Sequence, residues 1–175
     1  MLDALKRHAW LIAFPMVGRL ARTRWHGATR WTTQALAWAT LKIQRGRSQS
    51  DLRSVGEEWQ RMFPSKDMVP ILKQDDHTVF AQIRTHCPLR GTGDTAACYR
   101  MMEYDRRMLE TIGGQLVVLE SQAQPGRTYC EVAIRRASVS TEDLVHAHER
   151  TLASSAGPGD RGHSPGAQTS SPSSL

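Results

Sequence analysis

The chain has 175 residues, a formal net charge of +6, and 39% hydrophobic residues. That length suits one domain with extensions and excludes two ordinary ones, and the composition is that of a globular chain. Three cysteines, an odd count without framework spacing, exclude a disulfide scaffold and make a reducing cytoplasm the expected compartment.

The charge is unevenly spread. Residues 1–50 carry nine Lys and Arg against the single acid Asp3, about +8, whereas 51–150 carry thirteen against fifteen acids, about −2. This divides the chain into a basic, Trp-rich helical arm over 1–48 (Trp10, Trp25, Trp31, Trp38), an α+β core with a cysteine site over 49–137, a short helix over 138–153 and a tail over 154–175. The tail is almost entirely Ser, Gly and Pro and is expected to be disordered, because it cannot bury enough apolar surface to offset its conformational entropy.

Residues 2–14 read as a short helix with Leu5, Ala9, Ile12 and Ala13 on one side, ending near Pro15. The apolar run from Ala9 to Val17 falls well short of the roughly twenty residues that cross a bilayer. Arg19, Arg22 and Arg24 stand where a signal peptide would have its cleavage site. Basic residues interleaved with tryptophan suit peripheral contact between residues 1–28 and a membrane surface, which adds membrane association to the cytoplasmic expectation. A second helix spans about Thr29 to Gln44, where Trp31, Ala35, Trp38 and Leu41 at helical spacing are expected to pack on the domain. No recognisable motif accompanies the basic residues, so no sequence-specific nucleic-acid binding is expected. Ser50 is the expected cap of a third helix through Leu52, Val55, Trp59 and Met62, which stops before Pro64.

From Met68 the period changes to that of strands. MVPILK and HTVFAQIRTHC alternate, with Val79, Ala81, Ile83 and Thr85 on one side, and Asp75 and Asp76 make the turn of a hairpin. Asp94 caps a predicted single helix from about Thr95 to Ile112, which Gly113 and Gly114 terminate. QLVVLESQA and TYCEVAIRR form a second hairpin around Pro125 and Gly126. Ser140 or Thr141 would open the last helix. The order predicts α+β, with amino-terminal helices packed on an antiparallel sheet built from two hairpins and an intervening helix.

Cys98 and Asp105 lie two helical turns apart and face the same way, with Met102 between them. A strand ending at His86 and Cys87 can approach that face, and Cys130 lies in a neighbouring strand. Together they would place a thiolate beside an imidazole or a carboxylate, the arrangement that nucleophilic catalysis needs. The bland reading makes each cysteine a small core residue and Asp105 an ion-pair partner of Arg106, Arg107 or Arg136. Arg90 and the backbone amides of RGTGD, which open a helix, would suit an anionic group. His86, Cys87, Cys98 and Cys130 also make a four-ligand set for zinc or an iron-sulfur cluster, but no CxxC accompanies them and the metal is the less favoured reading.

The sequence from residue 55 to 136, with the cysteine of His86-Cys87-Pro88 at a strand end, Cys98 and Asp105 on a helix, then a strand, the glycine turn at Gly126 and Cys130 in YCEVAIR, resembles the L-2-amino-thiazoline-4-carboxylic acid hydrolase-like family. More loosely it resembles the vinyl-reductase-like ligand-binding domains. Met102 stands where the hydrolase-like pattern tends to have a cysteine. The resemblance implies a small-molecule-binding protein that hydrolyses a non-peptide C–N bond of a small organic acid. Cys87 or Cys130 would be the nucleophile, His86 or Asp105 the base, Arg90 the carboxylate partner, and Cys98 and Met102 substrate contacts. The second resemblance implies a non-catalytic module that binds a metal or an apolar ligand near Met101, Met102 and Leu116 to Leu119.

Overall fold

The computed structural model describes residues 15–23 and 25–155. The expected helix over 2–14 and most of the expected disordered tail lie outside them. Helices α1 (His26–Gln44) and α2 (Leu52–Arg61) and a 3-10 turn (Lys66–Met68) lead into strands β1 (Ile71–Gln74) and β2 (Val79–Ile83). Helices α3 (Thr95–Met101) and α4 (Glu103–Ile112), strands β3 (Gly114–Glu120) and β4 (Cys130–Arg136), and helix α5 (Ala147–Ser155) complete the order. The fold is α+β, with helices preceding an antiparallel sheet of two hairpins and a helical link between them, as the alternation predicts.

The sheet order is β1-β2-β4-β3, with every neighbouring pair antiparallel. Strands β2 and β3 therefore run parallel to each other with β4 between them. Register aligns Val79, Ile134 and Leu116 in one row and Ala81, Val132 and Val118 in the next, while Ile83 faces Cys130. These residues are buried together with Val55, Trp59, Met108, Leu109 and Ile112 in one core. Full burial of such side chains contributes roughly 1.5–3 kcal/mol each. Gly56 lets α2 approach the sheet closely, since a Cβ there would lie 3.1 Å from Val79 Cγ1.

Several boundaries differ from the sequence reading. Residues 15–21 are helical, a segment to which the sequence reading assigns no element. Val17 and Ala21 are buried, Arg100 Nε donates to the Ala21 carbonyl at 2.8 Å, and Gly18 packs against Pro88. The cap of α2 is Asp51, which accepts from the Ser54 N–H at 2.9 Å, and not Ser50. The strand expected over MVPILK begins only at Ile71, after the 3-10 turn, and β2 ends at Ile83, before His86 and Cys87. The predicted single helix over 95–112 is divided at Met102, although Met102 N–H still donates to the Cys98 carbonyl and Arg106 N–H to the Met102 carbonyl. The last helix starts at Ala147. Residues 137–146 instead form turns in which Arg135 binds the Ser140 carbonyl and the Asp143 carboxylate. Tyr99 stacks on His148 at 4.0 Å between ring centroids, and Arg106 lies 4.1 Å from the other partner of that stack, the Tyr99 ring, so α3, α4 and α5 are tied at one corner.

The expectation that Trp31, Ala35 and Trp38 pack on the domain is overturned: all three are exposed, and of that set only Leu41 is partly buried. The inward face of α1 is instead Thr29, Thr33 and Ala37. Both hydroxyls return to helix carbonyls, Thr33 Oγ1 to Thr29 at 2.9 Å and Thr29 Oγ1 to Trp25 at 3.4 Å. Small side chains that satisfy their own polar atoms can be buried cheaply.

Candidate functional site

The three cysteines reach one place from three elements. Cys130 opens β4 opposite Ile83, Cys98 lies in α3, and Cys87 follows β2. All are free thiols, exposed by only 4% (Cys87), 2% (Cys98) and 3% (Cys130). Cys98 and Cys130 hydrogen-bond to each other, Ser121 adds a second hydrogen bond to Cys98, and Cys87 is near enough to act electrostatically on both.

The environment differentiates the sulfurs. The hydrogen bond from Cys130, aided by that from Ser121 and by the charge of Arg106, holds the Cys98 thiol below its ordinary value against the opposing effect of burial. Donation to Cys98 and burial push Cys130 well above it. Burial pushes Cys87 up to about 11. Of the three, Cys98 is the sulfur whose thiolate is favoured, and thiolate is the reactive form.

Gln122, fully buried, fastens the cluster. Its Oε1 accepts from the Cys87 N–H at 3.3 Å and from Arg90 Nε and Nη2 at 3.0 and 2.7 Å. Its Nε2 donates to the carbonyls of Ile83 and Thr85 at 3.1 and 2.9 Å, and its own N–H points at Cys130 Sγ at 3.3 Å. Ser121 Oγ accepts from the Ala123 N–H at 3.0 Å, which orients its hydroxyl. Neither residue stands out in the sequence, where SQA reads as the end of the strand QLVVLESQA; that strand ends instead at Glu120, and the polar density before Pro-Gly is the sole signal.

Asp105 is buried in α4 and accepts from Trp59 Nε1 at 3.1 Å. Burial raises its carboxyl to about 7, against the hydrogen bond from Trp59 and the charge of Arg106. It does not form the ion pairs considered for it: Arg106 pairs with Glu103 at 3.0 Å and Arg107 with Glu110 at 3.1 Å. Asp105 also acts electrostatically on Cys98, so a carboxyl that titrates near neutrality lies close to the favoured thiolate. Met102 is buried on the same helical surface.

His86 is exposed between buried Thr85 and Cys87, so the imidazole is not buried with the sulfurs. Arg90 sits at the rim, bound to Gln122 and to the Thr128 carbonyl at 2.9 Å. The amides of Gly91 and Gly93, expected to hold an anion, donate instead to the carbonyls of Gln122 and Ala123 at 2.9 and 2.8 Å. Both glycines have positive φ, which lets the chain curl back to make those bonds. Among the described residues no group of three or more His, Cys, Asp or Glu is placed to hold a metal ion, so the set of His86, Cys87, Cys98 and Cys130 is not assembled as ligands. A shallow cleft of about 600 Å³, lined by Arg53, Glu57, Lys66, Asp67 and Lys73 among others, lies at β1 and α2 and includes none of the predicted site residues.

No protein-family model, curated protein or solved structure matches the chain.

Proposed function

We propose that the protein binds a small organic acid at the three-thiol cluster and hydrolyses a C–N bond of it, with Cys98 as the nucleophile. The observation that supports this reading is the pairing of a hydrogen-bonded, thiolate-favouring Cys98 with Asp105, whose carboxyl titrates at about 7. An effective acid-base group has its pKa near the working pH. The Cys98 thiolate adds to the electrophilic carbon. The C–N bond then breaks as the Asp105 proton passes to the departing nitrogen. Water next adds to the same carbon, its proton passes to the Asp105 carboxylate, and cleavage of the C–S bond restores the Cys98 thiolate. Cys130 and Ser121 stabilise the thiolate, and Arg90 meets the substrate carboxylate at the rim. The 86–93 loop carries Cys87 and is held to the 121–124 turn by two backbone hydrogen bonds; substrate reaches the buried sulfurs when the two part.

A panel of cyclic amidine and thiazoline acids tests the reading. Wild type is expected to turn over at least one member, Cys98→Ser to lose turnover while still binding, and Cys87→Ser to retain it. Absence of both binding and turnover, or full activity in Cys98→Ser, overturns it. Burial of every sulfur favours a second reading, a non-catalytic ligand-binding module: wild type would then bind a panel member without consuming it.

A further inference from the structure

We propose that the outward face of α1 docks on an anionic lipid bilayer, with Trp31 and Trp38 seated among the lipid headgroups. Helix α1 faces the core with Thr29, Thr33 and Ala37 and with the partly buried Leu36 and Leu41, and carries the larger aromatic residues Trp31 and Trp38 outward. Trp31 is 74% and Trp38 63% exposed, and Ala35 between them is exposed as well. Their spacing of four and three residues puts all three on one side of the helix, with the two indoles roughly 10 Å apart along it. Trp25 and Ile43, near the two ends of the helix, are exposed as well, 75% and 71%. Two indoles exposed on one side of a helix mark an interaction face.

The charge around it selects the occupant. No Asp or Glu occurs between Asp3 and Asp51, and Arg19, Arg22, Arg30, Lys42 and Arg45 are all exposed. Lys42 Nζ lies 5.7 Å from the Trp38 ring centroid, so a cation stands beside the aromatic surface. Arg30 is only loosely engaged, 3.8 Å from Glu103. A second copy of the chain would bring this positive surface against itself. Single-stranded nucleic acid is held in grooves whose aromatic rings stack bases, whereas these two indoles stand on one convex helix. A plane with negative charge and an apolar interior satisfies both features: indoles settle at the headgroup level and basic side chains meet phosphates. Among the described residues no helix is long and apolar enough to cross a membrane, so the helix lies along the surface.

The test uses the full chain with vesicles of phosphatidylcholine alone and of phosphatidylcholine mixed with phosphatidylserine. Wild type is expected to float with the mixed vesicles, to show a blue shift of tryptophan emission, and to dissociate at high salt. Trp31→Ser with Trp38→Ser is expected to abolish flotation without lowering the melting temperature, because neither side chain is buried. Arg30→Gln with Lys42→Gln should weaken binding by about fivefold for each charge removed. Equal flotation of wild type and the double tryptophan variant overturns the proposal. So does a complex with single-stranded RNA, or a dimer, that depends on these tryptophans while no vesicle is bound.

Discussion

Asp105 is a buried carboxyl with no ion-pair partner among the described residues, and its burial sets how stability depends on pH. Its ordinary value is 3.8 and its value in the fold is about 7. Between those limits the folded chain holds a proton that the unfolded chain has released. Stability contributed by the protonated form is therefore complete below about pH 4, falls as pH rises, and is lost once pH passes about 7, a change on the order of 4 kcal/mol. Asp105→Asn removes the titration while its amide oxygen still accepts from Trp59. The variant is expected to match wild type near pH 4 and to be more stable by several kcal/mol at pH 8, as read by thermal melts across pH; parallel curves for the two proteins would refute this. If Asp105 also donates the catalytic proton, the same substitution stabilises the protein and silences it. The sequence made the acid and the thiols legible because the seven-residue step from Cys98 to Asp105 fixes a shared helical face. It could not reveal Gln122 or Ser121, since their importance arises from partners brought in by β2, α3 and β4.

At the scale of elements, the hairpins were readable because alternation fixes which side chains share a face: Val79, Ala81 and Ile83 of β2 are indeed buried in the core, although Gln82 on the other face is covered as well. Helix ends were less so. Both Ser50 and Asp51 are good capping residues, and only the backbone decides: Asp51 is the extended residue whose oxygen meets the Ser54 N–H. Asp51→Ala is accordingly expected to lower the melting temperature and Ser50→Ala to leave it unchanged, whereas the reverse result would place the helix start one residue earlier. The orientation of α1 was misread for a different reason. Periodicity shows that Trp31, Ala35 and Trp38 share a side of the helix but not whether that side faces the core. Here the small residues Thr29, Thr33 and Ala37 let α1 sit close to its neighbours, and the hydrogen bond between Thr40 and Tyr104, 2.9 Å, fixes its rotation.

For the molecule as a whole, chain order and sheet order disagree. Strand β4 is the last to be written into the chain and the one that lies between β2 and β3, so it supplies partners to both. On the ribosome, every residue up to Tyr129 must wait with the inner edges of β2 and β3 bare, and bare edges recruit other chains. A chain stopped after Ser121 is expected to aggregate on synthesis, whereas one stopped after Ser155, with all four strands present, is expected to stay in solution; sedimentation of translation products distinguishes them. Assembly must also join strands that are far apart in sequence, which slows folding. The protein therefore has a window during its own synthesis in which translation speed and chaperone supply decide the yield, and that window closes only when Cys130 to Arg136 emerge and slot into the middle of the sheet.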